Sequence, residues 1–257
     1  MSLAFYRPTG GFFERAHPVT KLICLVTAFL PPFFGDRPQQ VLPYFFLLLV
    51  LCFAAGAGPN LARVRNLMLL LLVMSMVLWT FFYPGREAPL RVGPFRFHPD
   101  SLAYGATVGL RLVSFMLAAV IFLTSTRIED FTYGLSRLGL PFVVSFALTL
   151  AFRLTPLFME TGQAIVTAQK ARGLDLSSGG PVTRIRRHVP IIVPILASSL
   201  RRADQLAIAL ESKGFGRAEA RTTLAEYPVT WRDGLLLAAT LLLTAFLGLN
   251  HCLFRLF

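Results

Sequence analysis

The amino-acid sequence predicts an all-α membrane protein that crosses the bilayer about five times and carries a pair of long amphipathic helices outside it. Hydrophobic residues make up 55% of the 257-residue chain and charged residues only 15%, whereas soluble domains carry roughly 25% charged residues. The apolar residues are gathered in runs that approach the length of a transmembrane helix. One polar and basic stretch, residues 153–222, interrupts this pattern and contains a small internal repeat.

Five apolar runs are the predicted transmembrane helices. They are residues 22–34, 41–57, 67–83, 102–126 and 234–249. The first run is short, and starting its helix near Pro18, which suits the first helical turn, brings it closer to the thickness of the hydrocarbon core. Pro31 and Pro32 are expected to end or bend that helix. Residues 58–66 carry Pro59, Arg63 and Arg65 and are predicted to lie on the cytoplasmic side, and residues 83–100 are predicted to be an external loop.

The basic residues predict the topology of a multi-pass protein of the cell membrane. Arg7, Arg15 and Lys21 surround the start of the first helix and favour a cytoplasmic N-terminus by the positive-inside rule. Residues 127–233 hold 14 of the 25 Lys and Arg of the chain, which places this segment in the cytoplasm. The predicted parts are an N-terminal membrane domain of about four spans, a cytoplasmic helical domain, and a last span with a short tail: residues 1–126, 127–233 and 234–257.

Two apolar pieces lie within the cytoplasmic segment, at residues 142–152 and 189–200. Each is too short to cross a bilayer, and runs of this length are more often buried or interfacial helices. Arg153 and Pro156 are expected to interrupt the first piece. Pro190 and Pro194 are expected to interrupt the second.

The repeat consists of two amphipathic helices that end alike. One ends in Ala171-Arg172-Gly173 and the other in Ser212-Lys213-Gly214. Each glycine is predicted to close its helix as a C′ residue in the left-handed conformation, and each cation is favoured by the helix dipole at that end. Two interpretations remain open: ordinary caps with solvated cations, or exposed helix ends that present a cation to carboxylates of another protein.

Arg111 is the one basic residue placed well inside a predicted span. A lone intramembrane arginine is costly unless it reaches the interface or finds a partner. Packing against helix carbonyls or reaching an interface is the simpler interpretation, and contact with a partner subunit is the alternative.

Several classes of function are not favoured. The chain has no G-x-x-x-x-G-K-[ST] or H-E-x-x-H motif, and its cysteines and histidines are scattered, so we predict no enzyme, no cofactor and no metal site. The net charge of +12 is explained by membrane topology, and without interleaved aromatic residues it does not indicate nucleic acid. A self-contained secondary transporter or channel is the main alternative, although such proteins usually carry polar residues in several spans.

The stretch FRLTPLFMETGQAIVTAQKARG, together with RRADQLAIALESKGFG and ART, resembles the T component of energy-coupling factor (ECF) transporters, the family of the cobalt, biotin and general-vitamin T components. The N-terminal HPVTKL is similar to the D-P-R-T-K-L of that family. The matching positions in the central stretch are Arg153, Pro156, Glu160, Ala168, Gln169, Ala171, Arg172, Gly173, Arg201, Arg202, Ala203, Leu206, Ala207, Ala209, Gly214, Phe215, Arg221 and Thr222. The chain departs from the pattern at His17, Leu210, Ser212 and Lys213, and a lysine keeps the charge but not the planar fork of an arginine.

The resemblance implies a membrane scaffold that couples energy to transport. Its two coupling helices would dock into two ATP-binding cassette ATPase subunits, and the chain would hold a small membrane-embedded substrate-binding subunit that takes a vitamin or metal ion. The implied ATPase-docking residues are Ala171, Arg172, Gly173, Ser212, Lys213 and Gly214. The implied supporting residues are Arg153, Pro156, Glu160, Gln169, Arg201, Arg202, Phe215 and Arg221.

Overall fold

The computed structural model describes residues 13–14, 16–35, 37–82, 90–92, 95–97, 99–175, 180–216 and 227–256. Helices account for nearly all of these residues, so the predicted all-α fold is confirmed. The helices are α1 (Pro18–Ala28), a 3₁₀ turn (Pro31–Phe34), α2 (Pro38–Ala54), α3 (Gly58–Phe82), α4 (Pro99–Ser125), α5 (Ile128–Arg137), α6 (Phe142–Ala171), α7 (Pro181–Ser212) and α8 (Trp231–Leu256). Strands β1 (Leu90–Val92) and β2 (Phe95–Phe97) pair antiparallel between α3 and α4.

The helices have the lengths and composition of a polytopic membrane protein. Within the described ranges, three are long and apolar enough to cross a bilayer: Gly58–Phe82, Asp100–Ser125 and Phe142–Ala171. Shorter apolar helical segments are Pro18–Phe34, Pro38–Ala54 and Asp233–Ala245. The proline pair ends α1 as expected, because Pro31 and Pro32 open a separate 3₁₀ turn.

The basic segment at residues 58–66, predicted to lie on the cytoplasmic side, is part of a helix. Helix α3 begins at Gly58, and the connection from α2 is reduced to Ala55, Gly56 and Ala57. Gly56 has a φ of 68°, a left-handed conformation that lets the chain reverse in one step. Arg63 and Arg65 therefore lie in the first turns of a helix, where Arg63 donates a hydrogen bond to the side chain of Asn60 at 3.2 Å.

The expected interruptions at the prolines of the central segment are wrong. Helix α6 continues through Pro156, and α7 continues through Pro190 and Pro194. A proline removes one backbone hydrogen bond, and in helices this long the remaining bonds and the neighbouring helix maintain the helical path. The apolar pieces at residues 142–152 and 189–200 are thus parts of two long helices.

The chain forms two compact units. Met1–Leu140 and Tyr227–Phe257 make the first, and Pro141–Glu226 makes the second. In the first unit α4 packs on α2 and α3, while α1 packs on α5 and α8. Leu117 of α4 and Cys52 of α2 are almost completely buried in the core between these helices. The second unit is α6 and α7 packed side by side.

Two glycines allow α3 and α4 to approach closely. A Cβ built on Gly105 would lie 3.0 Å from the Cα of Met76, and one built on Gly109 would lie 3.3 Å from the carbonyl oxygen of Leu72. Ser75 uses this proximity to donate a hydrogen bond to the carbonyl of Gly105 at 3.1 Å. The Gly105-x-x-x-Gly109 spacing therefore marks a helix–helix contact.

We expect Gly105→Leu to lower the thermal unfolding temperature of the detergent-solubilised protein. The added side chain would meet the backbone of α3, which cannot rotate away, and overpacking of this kind costs about 1–3 kcal/mol. Gly234→Leu is the matched control, because none of the described atoms lies within 4 Å of a Cβ built at Gly234. Equal unfolding temperatures for the two variants would contradict a tight α3–α4 contact.

Candidate partner-docking site

The first repeat ends in a Schellman cap. Gly173 has a φ of 89°, the N–H of Leu174 donates to the carbonyl of Gln169 at 3.1 Å, and the N–H of Gly173 donates to that of Lys170 at 3.0 Å. These are the two hydrogen bonds that define the motif. Arg172, immediately before the glycine, is exposed.

The second repeat ends in the same way. Gly214 has a φ of 72°, the N–H of Phe215 donates to the carbonyl of Leu210 at 2.9 Å, and the N–H of Gly214 donates to that of Glu211 at 2.9 Å. Lys213 is exposed. The left-handed conformation predicted for both glycines is confirmed.

The caps alone do not distinguish these two ends from others in the chain. Gly56 closes α2 and Gly139 closes α5 with positive φ values of 68° and 109°, and the same pair of hydrogen bonds follows each helix. The residues before those glycines are Ala55 and Leu138. What separates the repeat from an ordinary cap is the exposed cation before its glycine.

Helices α6 and α7 run antiparallel. Thr161 of α6 accepts a hydrogen bond from Arg202 of α7 at 3.2 Å. Phe215, just past the end of α7, packs on Phe146 near the start of α6, with their ring centroids 4.5 Å apart. The end of α7 therefore lies beside the start of α6.

The antiparallel packing separates the two cations. Lys213 lies near the level of Phe146, and roughly 25 residues of α6 lie between that level and Arg172, which corresponds to ~38 Å along the helix. One unit thus presents two exposed cations at opposite ends, and each end is closed by the same cap.

The structure brings only some of the implied supporting residues into contacts. Gln169 donates to the carbonyl of Pro190 at 3.2 Å, and Arg202 and Phe215 make the contacts given above. Arg153, Pro156, Glu160 and Arg201 are exposed. Arg221 and Thr222 lie outside the described residues.

One tie at the first end was not foreseen from the sequence. Arg187 of α7 donates to the carbonyl of Asp175 at 2.9 Å, and its guanidinium lies 3.9 Å from the carboxylate of the same residue. Asp175 follows the cap of α6 closely, so this contact holds the chain just beyond Arg172. In the sequence, this contact is indicated only by Arg187 in the basic run RIRR and by Asp175 two residues after Gly173.

In the first unit, Arg111 has carbonyl partners. Its guanidinium donates to the carbonyl of Pro32 at 2.9 Å and to that of Gly35 at 3.1 Å, and it lies 5.5 Å from the ring centroid of Phe33. These contacts agree with the interpretation in which Arg111 packs against carbonyls, here those of the 3₁₀ turn after α1.

A second polar cluster surrounds Lys21 of the HPVTKL segment. The buried ammonium donates to the carbonyls of Glu14 at 2.8 Å and Ser125 at 3.0 Å, and it lies 4.0 Å from the carboxylate of Asp130. Tyr227 donates to the same carboxylate at 2.6 Å. Burial raises the pKa of Tyr227, and its hydrogen bond to Asp130 raises that pKa further.

His17 belongs to the same cluster and is the N-cap residue of α1. Its Nδ1 accepts a hydrogen bond from the backbone N–H of Val19 at 3.2 Å. The backbone N–H of His17 donates to the buried carboxylate of Asp233 at 2.6 Å. A histidine can therefore act as an N-cap acceptor at a position where the ECF motif usually has aspartate.

Comparison with known proteins places the sequence in a family. The protein-family model CbiQ, described as cobalt transport protein, matches residues 11–224, a range that includes the HPVTKL segment and both capped ends. The chain belongs to this family.

Curated relatives match over almost their whole length. The energy-coupling factor transporter transmembrane protein EcfT of Brevibacillus brevis is 28% identical over 96% of this chain and 97% of its own. The EcfT of Heliobacterium modesticaldum is 30% identical over 91% of both chains, and that of Bacillus subtilis is 28% identical over 96% of this chain and 97% of its own. The chain is accordingly the transmembrane T component of an ECF transporter.

Membership of the family bears on how the two exposed cations, Arg172 and Lys213, are interpreted. A capped helix end with a cation is common in proteins, but here both capped ends lie within the range that the family model matches. Among the described residues, no group of three or more His, Cys, Asp or Glu has the arrangement of a metal site.

Proposed function

We propose that this T component is the scaffold and energy-coupling subunit of an ATP-driven importer for a vitamin or a transition-metal ion. Arg172 and Lys213 dock one ATP-binding cassette ATPase subunit each. The observation that carries the proposal is the pair of exposed cations on matching caps at opposite ends of the α6–α7 hairpin.

The chemistry of the capped ends suits docking into an acidic groove. The left-handed glycine ends the helix abruptly, so that the side chain of the preceding residue stands at the tip of the helix with no further turn to cover it. A carboxylate on the partner pairs with that cation, and an arginine forms two parallel hydrogen bonds where a lysine forms one. Docking at two tips ~38 Å apart along the helix leaves room for a separate ATPase at each.

The apolar side chains of the hairpin support a membrane-embedded partner. Val143 and Leu200 are each 66% exposed, and Val193 is 58% exposed. Exposed apolar surface of this extent marks an interaction with protein or lipid. We assign it to the small substrate-binding membrane subunit, which the T component holds next to the bilayer.

The remaining functional assignments follow from the same scheme. The N-terminus and the capped ends at Arg172 and Lys213 face the cytoplasm, where the ATPases are, while the apolar length of α6 lies against the bilayer. The protein is a multi-pass component of the cell membrane. The sequence has no P-loop motif, so ATP is hydrolysed by the partner ATPases and the T component transmits the movement.

Co-purification of the ATPases with the tagged double variant Arg172→Glu/Lys213→Glu tests the proposal. Removing one partner of a buried interfacial charge pair costs roughly 2–5 kcal/mol, and reversing both charges adds repulsion. We expect the substrate-binding subunit to co-purify as before and the ATPases to be lost. Unchanged recovery of the ATPases would show that the cations are not the docking groups.

A further inference from the structure

Gln169 makes two different contacts at the first docking end. Its backbone carbonyl accepts from the N–H groups of Arg172 and Leu174, each at 3.1 Å, and so closes the cap. Its side-chain amide crosses to α7 and donates to the carbonyl of Pro190 at 3.2 Å. One residue therefore connects the cap that presents Arg172 to the neighbouring helix.

The carbonyl of Pro190 on α7 can accept from Gln169 because its usual donor within the helix is missing. In a helix the carbonyl of residue 190 normally accepts from the N–H of residue 194, but that residue is Pro194, which has no N–H and whose ring pushes the carbonyl four residues earlier away from the helix axis. A carbonyl without its helical partner needs another donor. The amide of Gln169 provides one.

The second docking end is built differently. The residue that aligns with Gln169 in the repeat is Leu210, which cannot donate a side-chain hydrogen bond. There the contact between the helices is aromatic, with Phe215 against Phe146 and Phe142 at centroid distances of 4.5 and 6.1 Å. The first end is held by directional polar contacts, and the second by tilted aromatic contacts.

We propose that Gln169 is a positioning residue of the first docking end. It binds the carbonyl that Pro194 leaves without a helical donor, so that Arg172 and the part of α7 between Pro190 and Pro194 move together when the ATPase moves. The inference rests on the proposed docking role of Arg172. The hydrogen bond from Arg187 of α7 to the carbonyl of Asp175 is a second contact, which connects α7 to the chain three residues after Arg172.

The first experiment tests the contact between Gln169 and Pro190 by measuring distances between α6 and α7. It uses the full-length chain in lipid nanodiscs, without the ATPases. Spin labels at Lys170 and Val189, both exposed, report the distance between the end of α6 and the facing turn of α7 in a background without native cysteines. Loss of one hydrogen bond changes the ratio of tied to released states by about 3–10-fold. We expect Gln169→Met, which keeps the length of the side chain and removes the amide, to broaden the distance distribution by raising the released population by that factor.

Uptake by the complete transporter in proteoliposomes is the second readout. Gln169→Met should lower the amount of substrate taken up per ATP hydrolysed, while the ATPases still co-purify through Arg172 and Lys213. Gln163→Met, at an exposed glutamine of the same helix, is the matched control and should change neither the distances nor the uptake. Should Gln169→Met fail to accumulate, Gln169→Asn gives the same readout because its amide is one methylene short.

Pro194→Ala separates this tie from a general structural role. Alanine restores an N–H to the helix, and the carbonyl of Pro190 turns back toward the axis and away from Gln169. Gln169→Met should then have little further effect on distances or coupling. An unchanged distance distribution for Gln169→Met, or an equal effect with and without Pro194, would overturn the contact itself, and neither result depends on whether the cations dock. A changed distance distribution with unchanged uptake per ATP, while the ATPases still co-purify, would overturn the positioning role.

Discussion

Replacing Arg172 by glutamate is expected to abolish ATP-driven uptake by the assembled transporter. Arg172 is exposed at the tip of α6 behind a fixed cap, so the substitution leaves the helix and its hydrogen bonds in place and changes only the charge at the tip. The cost of leaving an interfacial carboxylate without its partner corresponds to a loss of at least about 30-fold in affinity, and repulsion adds to it. Substrate uptake in proteoliposomes at limiting ATPase concentration measures the effect.

Lys170→Glu is the control for this prediction. Lys170 is exposed in the last turn of the same helix, so it experiences the same dipole and nearly the same surroundings, but it does not directly precede the glycine. Uptake by Lys170→Glu should stay within a few-fold of the unmodified transporter. An equal loss from both substitutions would mean that the charge of the region matters and that Arg172 itself has no special role. Lys213→Arg should keep uptake intact.

The largest loss of stability is expected from Asp130→Ala. Asp130 is 8% exposed and Lys21 is 7% exposed, and the substitution removes the carboxylate that faces the buried ammonium and accepts from Tyr227. Breaking a buried pair by removing one partner costs roughly 3–5 kcal/mol. Thermal unfolding of the purified T component should therefore show a clear fall in Tm, and expression in the membrane should fall with it.

Two further variants make this test specific. Glu129→Ala removes an exposed carboxylate from the same helix and should leave the Tm almost unchanged. The double variant Lys21→Met/Asp130→Leu replaces both charges by apolar side chains and should be more stable than Asp130→Ala, because no buried charge is left without a partner. A double variant as unstable as the single one would indicate that Asp130 acts through Tyr227 and not through Lys21.

Local chemistry made the ends of α6 and α7 predictable. A glycine after a helical run, preceded by a cation, specifies a left-handed cap within one turn, and both Gly173 and Gly214 adopt it. The sequence underestimates the lengths of the same helices, because a proline within a helical run favours a break. Whether a proline ends a helix depends on what supplies the missing hydrogen bond, and for Pro194 the donor is an amide on another helix.

The Lys21 cluster could not be assembled from the sequence for a related reason. Its groups come from α1, α4, α5, α8 and the segments before α1 and α8, and Tyr227 is far from Asp130 along the chain. Nothing in the periodicity of an amphipathic helix indicates which distant carboxylate will face a lysine. The HPVTKL resemblance marked the segment as special without identifying Asp130 or Tyr227 as its partners.

The antiparallel packing of α6 on α7 also fixes the direction in which Arg172 points around the axis of α6. Each residue of an α-helix advances the chain by ~1.5 Å and turns it by about 100°, so deleting one residue of α6 between Thr161 and Gln169 would barely shorten the helix. The same deletion would turn Arg172 about a quarter of the way around the helix axis while its glycine still closed the end. A T component can therefore fold and cap correctly and still present its cation to the wrong side. The number of residues between the inter-helix contacts and the tip is thus as much a part of the docking site as the arginine.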